Sequence, residues 1–439
     1  MRTRAWRAAI VGAALMATTG QPRAAAPEVV TLTVAGRSSA TPWVASAGRF
    51  VAVAWGATAE GKADIYVATS DDDGATFGAP VRVNRVAGEG RVSGEIPPRV
   101  ALHLAAGASR PEVVVAWNAK DQGTEVKIAR SRDFGRTFGA PEALQAPGAA
   151  GDRGWHALTL DAQGTAHVVW LDHRGLAAAK AESEAQGHHQ HMDAADGVAM
   201  AQRSRLVYAR VGAAAAPEQL LAPGVCYCCK TALVATGRGI LAAWRHVYAG
   251  DLRDIAFAWL NDPSAGGAPA RVSEDGWAIN GCPDDGPALA AAAGRVHIVW
   301  PTVKTGPEPV GAIFYAAMTD GTRFGPRQQV PTLGAPKPSH PQVAVDSAGH
   351  LFIAWDEVRA GVRTAAIVDA PSAAGGAPAF SAPAPLAPGG PTQYPVMAPL
   401  ARGVVVAWTA GAPGASVIHV QRRGPTAAPS MARGQEEGR

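Results

Sequence analysis

Cysteine is scarce in this 439-residue chain, with three of its four packed into CYCC at 226–229 and the fourth at Cys282. Four cysteines in so long a chain exclude a small disulfide-stapled scaffold, whose stability would rest on many bridges. Charge is sparse too, at 17% of residues against about 25% in ordinary globular domains. The first 26 residues hold four arginines and no acid, so the remainder carries 36 basic and 36 acidic residues. A balance that even excludes the basic field a nucleic acid needs and the polybasic stretch a membrane surface needs. No run of eighteen apolar residues follows the N-terminal stretch, so no helical membrane span is expected.

Glycine and proline, by contrast, are abundant, at 50 and 34 residues. They imply short buried strands joined by many tight turns. The N-terminus has a basic start (Arg2, Arg4, Arg7), an apolar stretch over 8–19 and a small-residue exit at Ala24–Ala26. This is the pattern of a secretory signal peptide. Residues 1–26 are therefore expected to be a leader, 27–424 one folded domain and 425–439 a disordered tail. A periplasmic or secreted monomer follows.

A short apolar run ending in tryptophan recurs seven times, at Trp55, Trp117, Trp170, Trp244, Trp300, Trp355 and Trp408. The separations are 62, 53, 74, 56, 55 and 53 residues. Each run follows a strand-like segment and a glycine-containing turn, and a third and fourth strand-like segment come after it. Four antiparallel strands repeated every 50–60 residues predict an all-β fold, a β-propeller. The count is seven blades, or six if one unit falls short of a full blade. The last unit lacks a fourth strand, and EVVTLTVA (28–35) precedes the first, so pairing the two would close the ring and hide a sheet edge. The tryptophans are read as packing between blades.

Two segments, SDDDGATF (70–77) and SRDFGRTF (131–138), fit S-x-D-x-G-x-[TS]-[FW]. They resemble the Asp-box, or bacterial neuraminidase repeat, of the sialidase-like propellers, with weaker relatives at MTDGTRF (318–324) and SEDGW (273–277). That resemblance implies the propeller fold over most of the chain and, for an enzyme, a glycoside hydrolase of the exo-α-sialidase type. Such enzymes clamp a substrate carboxylate with three arginines and use a tyrosine nucleophile, a glutamate and an aspartate. The Phe/Tyr-Arg-Ile-Pro segment carrying their first arginine is absent here; EIPPRVAL (95–102) is nearest, with the order changed and after the first Asp-box. Arg245, Arg253, Asp254 and Tyr394 are the weak catalytic candidates, with no spacing that selects them.

Antiparallel topology places the segment before each first strand and the loop after each tryptophan at one mouth of the channel. Aligning on the tryptophans puts Trp155, Cys229, Asp285 and His340 at one position, beside His156, Cys228, Asp284 and Tyr394. With the post-tryptophan residues Arg174, Arg245, His246 and Arg253, the ligand-binding candidates are Trp155, His156, Arg174, Arg245, His246, Arg253, Asp285, His340 and Tyr394. An insertion after Trp170 adds His188, His189, His191 and Met192.

Cys226 and Cys282 each lie 18 residues before a tryptophan, so a Cys226–Cys282 disulfide between neighbouring blades is one expectation. On an extended strand, residues two apart sit about 6.5–7 Å from each other, beyond the reach of a disulfide. The other expectation is a thiolate–imidazole site for copper or zinc, built from Cys226, Cys228, Cys229, Cys282 and His340, with the insertion's His188, His189, His191 and Met192. Three functional classes remain open at this point: capture of a small molecule or glycan with or without a metal, glycoside hydrolysis, and a scaffold for a protein partner.

Overall fold

A computed structural model describes residues 28–120, 123–144, 151–176, 199, 201–212, 218–260, 269–279, 283–304, 309–371 and 377–426. Nearly all regular structure among them is β-strand, and every strand pairing is antiparallel. Five sheets have four strands and one has nine. The nine-stranded sheet contains two meanders, beginning at Ser38–Ala47 and Arg99–His103, joined through the short strand Gly90–Arg91. The other meanders begin at Arg153–Leu160, Ala232–Thr236, Ala288–Ala292, Ser339–Val345 and Thr392–Pro399. Beside the last of these, Val29–Leu32 pairs with Val417–Arg423, Val29 opposite Gln421 and Leu32 opposite Ile418.

The tryptophan of each repeat lies on the second strand of its meander and is at most 1% exposed. Each one packs into the sheet before its own. Trp117 sits among Phe50, Ala52 and Val67 of the first meander, and Trp300 among Leu241 and Phe257. Trp55 meets Val405, Ala407 and Ile418 of the last sheet. The first strands follow the same order, each against its successor, with Thr392–Pro399 packed on Ser38–Ala47. Truncating a tryptophan this buried should cost about 3–5 kcal/mol.

Strand register sorts the ends of each meander. In the first, Ser38 pairs with Thr58 at one end, while Ala47 pairs with Phe50, and Val51 with Ser70, at the other. The inlet of the first strand and the residues after the tryptophan therefore share one end. The turn after Ser70 lies at the opposite end.

That turn is built around Asp72, which accepts Ser70 Oγ at 2.7 Å, Thr76 N at 2.9 Å and Thr76 Oγ1 at 2.6 Å. Gly74 takes φ +80° there, a conformation that costs glycine nothing. Asp133 repeats the pattern with Ser131, Thr137 and Gly135. These hydrogen bonds hold both carboxyls at about 2, well below the ordinary carboxylate range. A folded-state value below the unfolded one contributes stability above about pH 4 that fades as the pH falls toward 2. Replacing Asp72 with Asn should therefore cost about 1 kcal/mol at neutral pH and flatten the acid limb of the stability profile. Urea midpoints from pH 2 to 7 check this; an unchanged acid limb would remove the turn from the account.

Candidate functional site at the strand inlets

The first strands do not enter their sheets smoothly. Register breaks fall at Ala40/Trp43, Gly154/Ala157, Ser339/Gln342 and Gln393/Val396. Within these bulges Thr41, Trp155, His340 and Tyr394 have φ between 52° and 55°, and Asp284 ahead of the fifth meander has 53°. None is glycine, so each left-handed residue is strained and must be held by its surroundings.

Much of the holding is done by the residue just after a tryptophan, which grips the bulge of the next sheet. Asp356 Oδ2 accepts Tyr394 N at 2.7 Å. Thr409 Oγ1 accepts Thr41 N at 2.9 Å. Asn118 donates to Arg153 O at 2.5 Å and contacts His156 Nδ1 at 2.8 Å. Arg245 donates to Asp285 O from Nε and a terminal nitrogen, at 3.2 and 3.1 Å. The residue two after the tryptophan has another task. Asp172, His246 and Glu357 each accept their tryptophan's indole N–H, at 3.4, 3.4 and 2.8 Å.

These bonds redefine several candidates. Arg245 spends its remaining donors on the carbonyls of Arg253 and Pro301, so it fastens inlets together. Arg174 is engaged by Asp172 and Glu218. Asp254, fully buried, pairs with Arg271 at 3.0 Å, and its carboxyl is raised by burial and by neighbouring Asp275. His246 is held down to about 4 by burial and Arg271. His156, with both ring nitrogens bonded inside the protein, falls to about 3 by burial and then Arg99. Both histidines are neutral structural groups. The three arginine candidates of the mouth, Arg174, Arg245 and Arg253, are therefore each engaged within the protein.

A buried polar network spans the inlets of the fourth to seventh meanders. Lys230 Nζ lies 3.1 Å from Asp285 and 3.3 Å from Glu95, and its own N–H donates to Glu95 at 2.7 Å. Asp285 also accepts His340 N at 2.8 Å. His340 Nδ1 sits 2.9 Å from Asp356, which Arg363 reaches at 2.5 Å. Burial acts to lower the His340 pKa, but Asp356 outweighs it and raises the value. Lys230, His340, Tyr394 and Trp43 line a cavity of about 10 Å³, room for a single water. Asp284 stands nearby with its carboxyl raised by burial and Asp285.

Next to Lys230 the three clustered cysteines form a turn through Tyr227 and Cys228, where an extended strand was expected. The turn is tied at both sides, by Cys226 N to Arg245 O at 3.0 Å and Thr231 N to Trp155 O at 3.1 Å. It gathers the three sulfurs into a triangle: Cys226–Cys228 3.8 Å, Cys228–Cys229 3.8 Å and Cys226–Cys229 3.6 Å. All three are buried, at 1, 7 and 2% exposure in sequence order. Cys226 and Cys229 are free thiols and Cys228 is disulfide-bonded. A free Cys226 rules out the expected Cys226–Cys282 bridge. Cys282 itself lies outside the described residues, as do His188, His189, His191 and Met192.

The Cys226 thiol is lowered to about 6, first by the hydrogen bond from Cys229, then by Arg245 and Arg253. Arg253 donates to its sulfur at 3.4 Å and is braced by Asp251. Cys229 moves the other way, through burial and its neighbour Cys226. His340 is not in the sulfur group, whose ligand atoms lie within 4.8 Å of one another; the Asp356 pair holds it elsewhere. Beside the turn, His173 lies tilted against Trp155 at 5.0 Å and edge-on to Tyr227 at 6.4 Å. Its Nε2 is buried with no hydrogen-bond partner among the described residues. Lys230, Asn118 and Thr409 were not picked out from sequence; the last two become visible only once the column after each tryptophan is read as a set.

No family model and no curated protein matches the chain. Among solved structures it is similar to the α-L-arabinanase of Penicillium chrysogenum, with 11% identity over 90% of this chain and 99% of that one, TM-score 0.47. It is also similar to the GH93 α-L-arabinofuranosidase of Fusarium graminearum, with 11% identity over 90% and 96%, TM-score 0.48. A third is the sialidase of Trypanosoma rangeli, 9% identical over 88% of this chain and 55% of that one, TM-score 0.42. These are likenesses of chain path, and none of the activities they name is carried over here.

Proposed function

We propose that this chain is an exported, sialidase-like propeller of seven blades, closed by Val29–Leu32, that captures a copper(I) ion on Cys226, Cys228 and Cys229 at its channel mouth. The ring reading is supported by first strands that each pack on the next, the last on the first. The metal reading is carried by the sulfur triangle. Thiolates about 2.3 Å from a tetrahedral ion stand about 3.8 Å apart, and the three edges here are 3.6–3.8 Å.

Copper(I) is preferred to zinc because the donor set among the described residues is three sulfurs, the softest donors the protein offers. Three thiolates on one monovalent ion leave excess negative charge. Arg245 and Arg253, both buried, act on Cys226 to offset it. The Cys228 bond must open before its sulfur can serve as a ligand.

The test uses the full chain produced by export, reduced anaerobically and titrated with copper(I) against a colorimetric chelator. One equivalent per chain is expected, with a thiolate-to-copper band in the near ultraviolet. Cys229→Ser should weaken retention at least tenfold. Equal retention by Cys229→Ser and wild type, or preference for zinc, would overturn the assignment. So would turnover of fluorogenic arabinosides or sialosides that survives in Cys229→Ser and vanishes in Asp284→Asn, since it would make the mouth a hydrolytic site.

A further inference from the structure

The third and fifth meanders share a histidine–tyrosine pair that only the third completes. His167 Nδ1 lies 2.7 Å from the Tyr208 hydroxyl, and its Nε2 lies 3.1 Å from Asp161 Oδ2. His297, three residues before its tryptophan as His167 is, places Nδ1 2.9 Å from the Tyr315 hydroxyl. Its Nε2 has no hydrogen-bond partner among the described residues, although the side chain is only 8% exposed. Register shows what is missing. Thr159 pairs with His167 and Ala290 with His297. Two positions further along the first strand come Asp161 in one meander and Ala292 in the other. A methyl group stands where the carboxylate would be.

Ala292, Arg295 and His297 line a cavity of about 650 Å³ between the fifth and sixth meanders, within the range of about 300–1,000 Å³ for small-molecule sites. It lies at the turn end of the sheets, away from the inlets and the cysteines. Ala317, Val345, Leu351 and Pro378 make much of its wall apolar, and the described lining residues include two arginines and no acid. Arg327 is paired with Asp275, while Arg295 faces Ala292 across the hairpin. Burial, then Arg295, holds His297 to about 4, so near neutral pH the ring carries a single N–H. The Tyr315 phenol, pushed up to about 12 by burial, keeps its proton and gives it to Nδ1, which leaves the N–H on Nε2. We propose that this cavity binds a small apolar monocarboxylate, its head over Ala292 accepting His297 Nε2–H and its chain along the apolar wall. The ligand supplies the group that Asp161 supplies within the third meander. Arg295 adds positive charge on the same wall, and a charged acceptor strengthens the hydrogen bond.

The experiment is calorimetric titration of the full chain with octanoate at neutral pH. One equivalent should bind saturably. Octanamide has the same chain without the charge and should bind at least tenfold more weakly, a comparison that depends on no variant. Ala292→Asp should build the third meander's carboxylate into the fifth. It should melt no lower than wild type and lose octanoate affinity at least tenfold. Absence of saturable octanoate binding by wild type would overturn the proposal. So would equal affinity for acid and amide, or undiminished octanoate affinity in a folded Ala292→Asp variant.

Discussion

Replacing Asp356 with Ala should cost about 3–5 kcal/mol, the usual penalty for removing one partner of a buried charge pair. The carboxylate is fully buried and serves three groups at once: His340 Nδ1, Arg363 and the backbone N–H of Tyr394. Its loss strands a buried imidazolium, leaves Arg363 short of a partner and frees a left-handed residue from its latch. Asp356→Asn keeps an oxygen for the Tyr394 N–H and should cost less, about 1–3 kcal/mol.

The pH dependence carries a second signature. The folded-state pKa of His340 is raised, so its contribution is fully present below the ordinary histidine value of about 6.5 and is lost as pH rises through the raised one. Asp356 is lowered, with burial opposing and His340 leading the opposite trend, so its contribution is present above about 3.9 and is lost as pH falls. The alanine variant should lose less stability on the alkaline side than wild type, because it has no His340–Asp356 ion pair to lose when the imidazole deprotonates. Urea midpoints between pH 4 and 9 measure both effects. A variant within about 1 kcal/mol of wild type and parallel to it across that range would show that the latch contributes nothing.

What the sequence made legible follows from which positions have only one chemical solution. The space between two sheets wants a large flat side chain, so tryptophan recurs at all seven sites and can be counted. The next residue has a task at four junctions, but Asn118, Arg245, Asp356 and Thr409 perform it by different chemistry. The remaining three positions in that column are Gly56, Leu171 and Pro301, so no pattern emerges until the strands are paired. The same variety made Arg245 look like a free substrate-binding cation when it is fixed to carbonyls.

The cysteine turn was misjudged for a different reason. Strand spacing was extended back into 226–229, whereas the backbone is anchored on both sides by Arg245 and Trp155 and folds between them. Lys230 was hidden because a single lysine carries no signal of its own. Only Glu95 and Asp285, 135 positions before it and 55 after it, give it meaning.

Deleting the segment 28–35 should produce the other large loss. Val29–Leu32 covers the outer edge of Val417–Arg423, and Leu32 is 5% exposed in a cluster with Trp55, Val405 and Ile418. Trp55 belongs to the first meander and Val405 to the last, so the cluster is the seam between the two ends of the chain. Without the strand, Val417–Arg423 presents an unpaired ladder, the kind of edge that templates association with another chain. Leu32→Ala should cost about 2–3 kcal/mol through the cavity alone. The deletion should cost more and add concentration-dependent light scattering below the melting transition. A synthetic peptide of residues 28–35 added in trans should restore part of the lost stability by strand addition. If the shortened protein melts with wild type and stays monomeric, the seam is held by the tryptophan contacts alone, and a ring closed by the N-terminal strand is the wrong description.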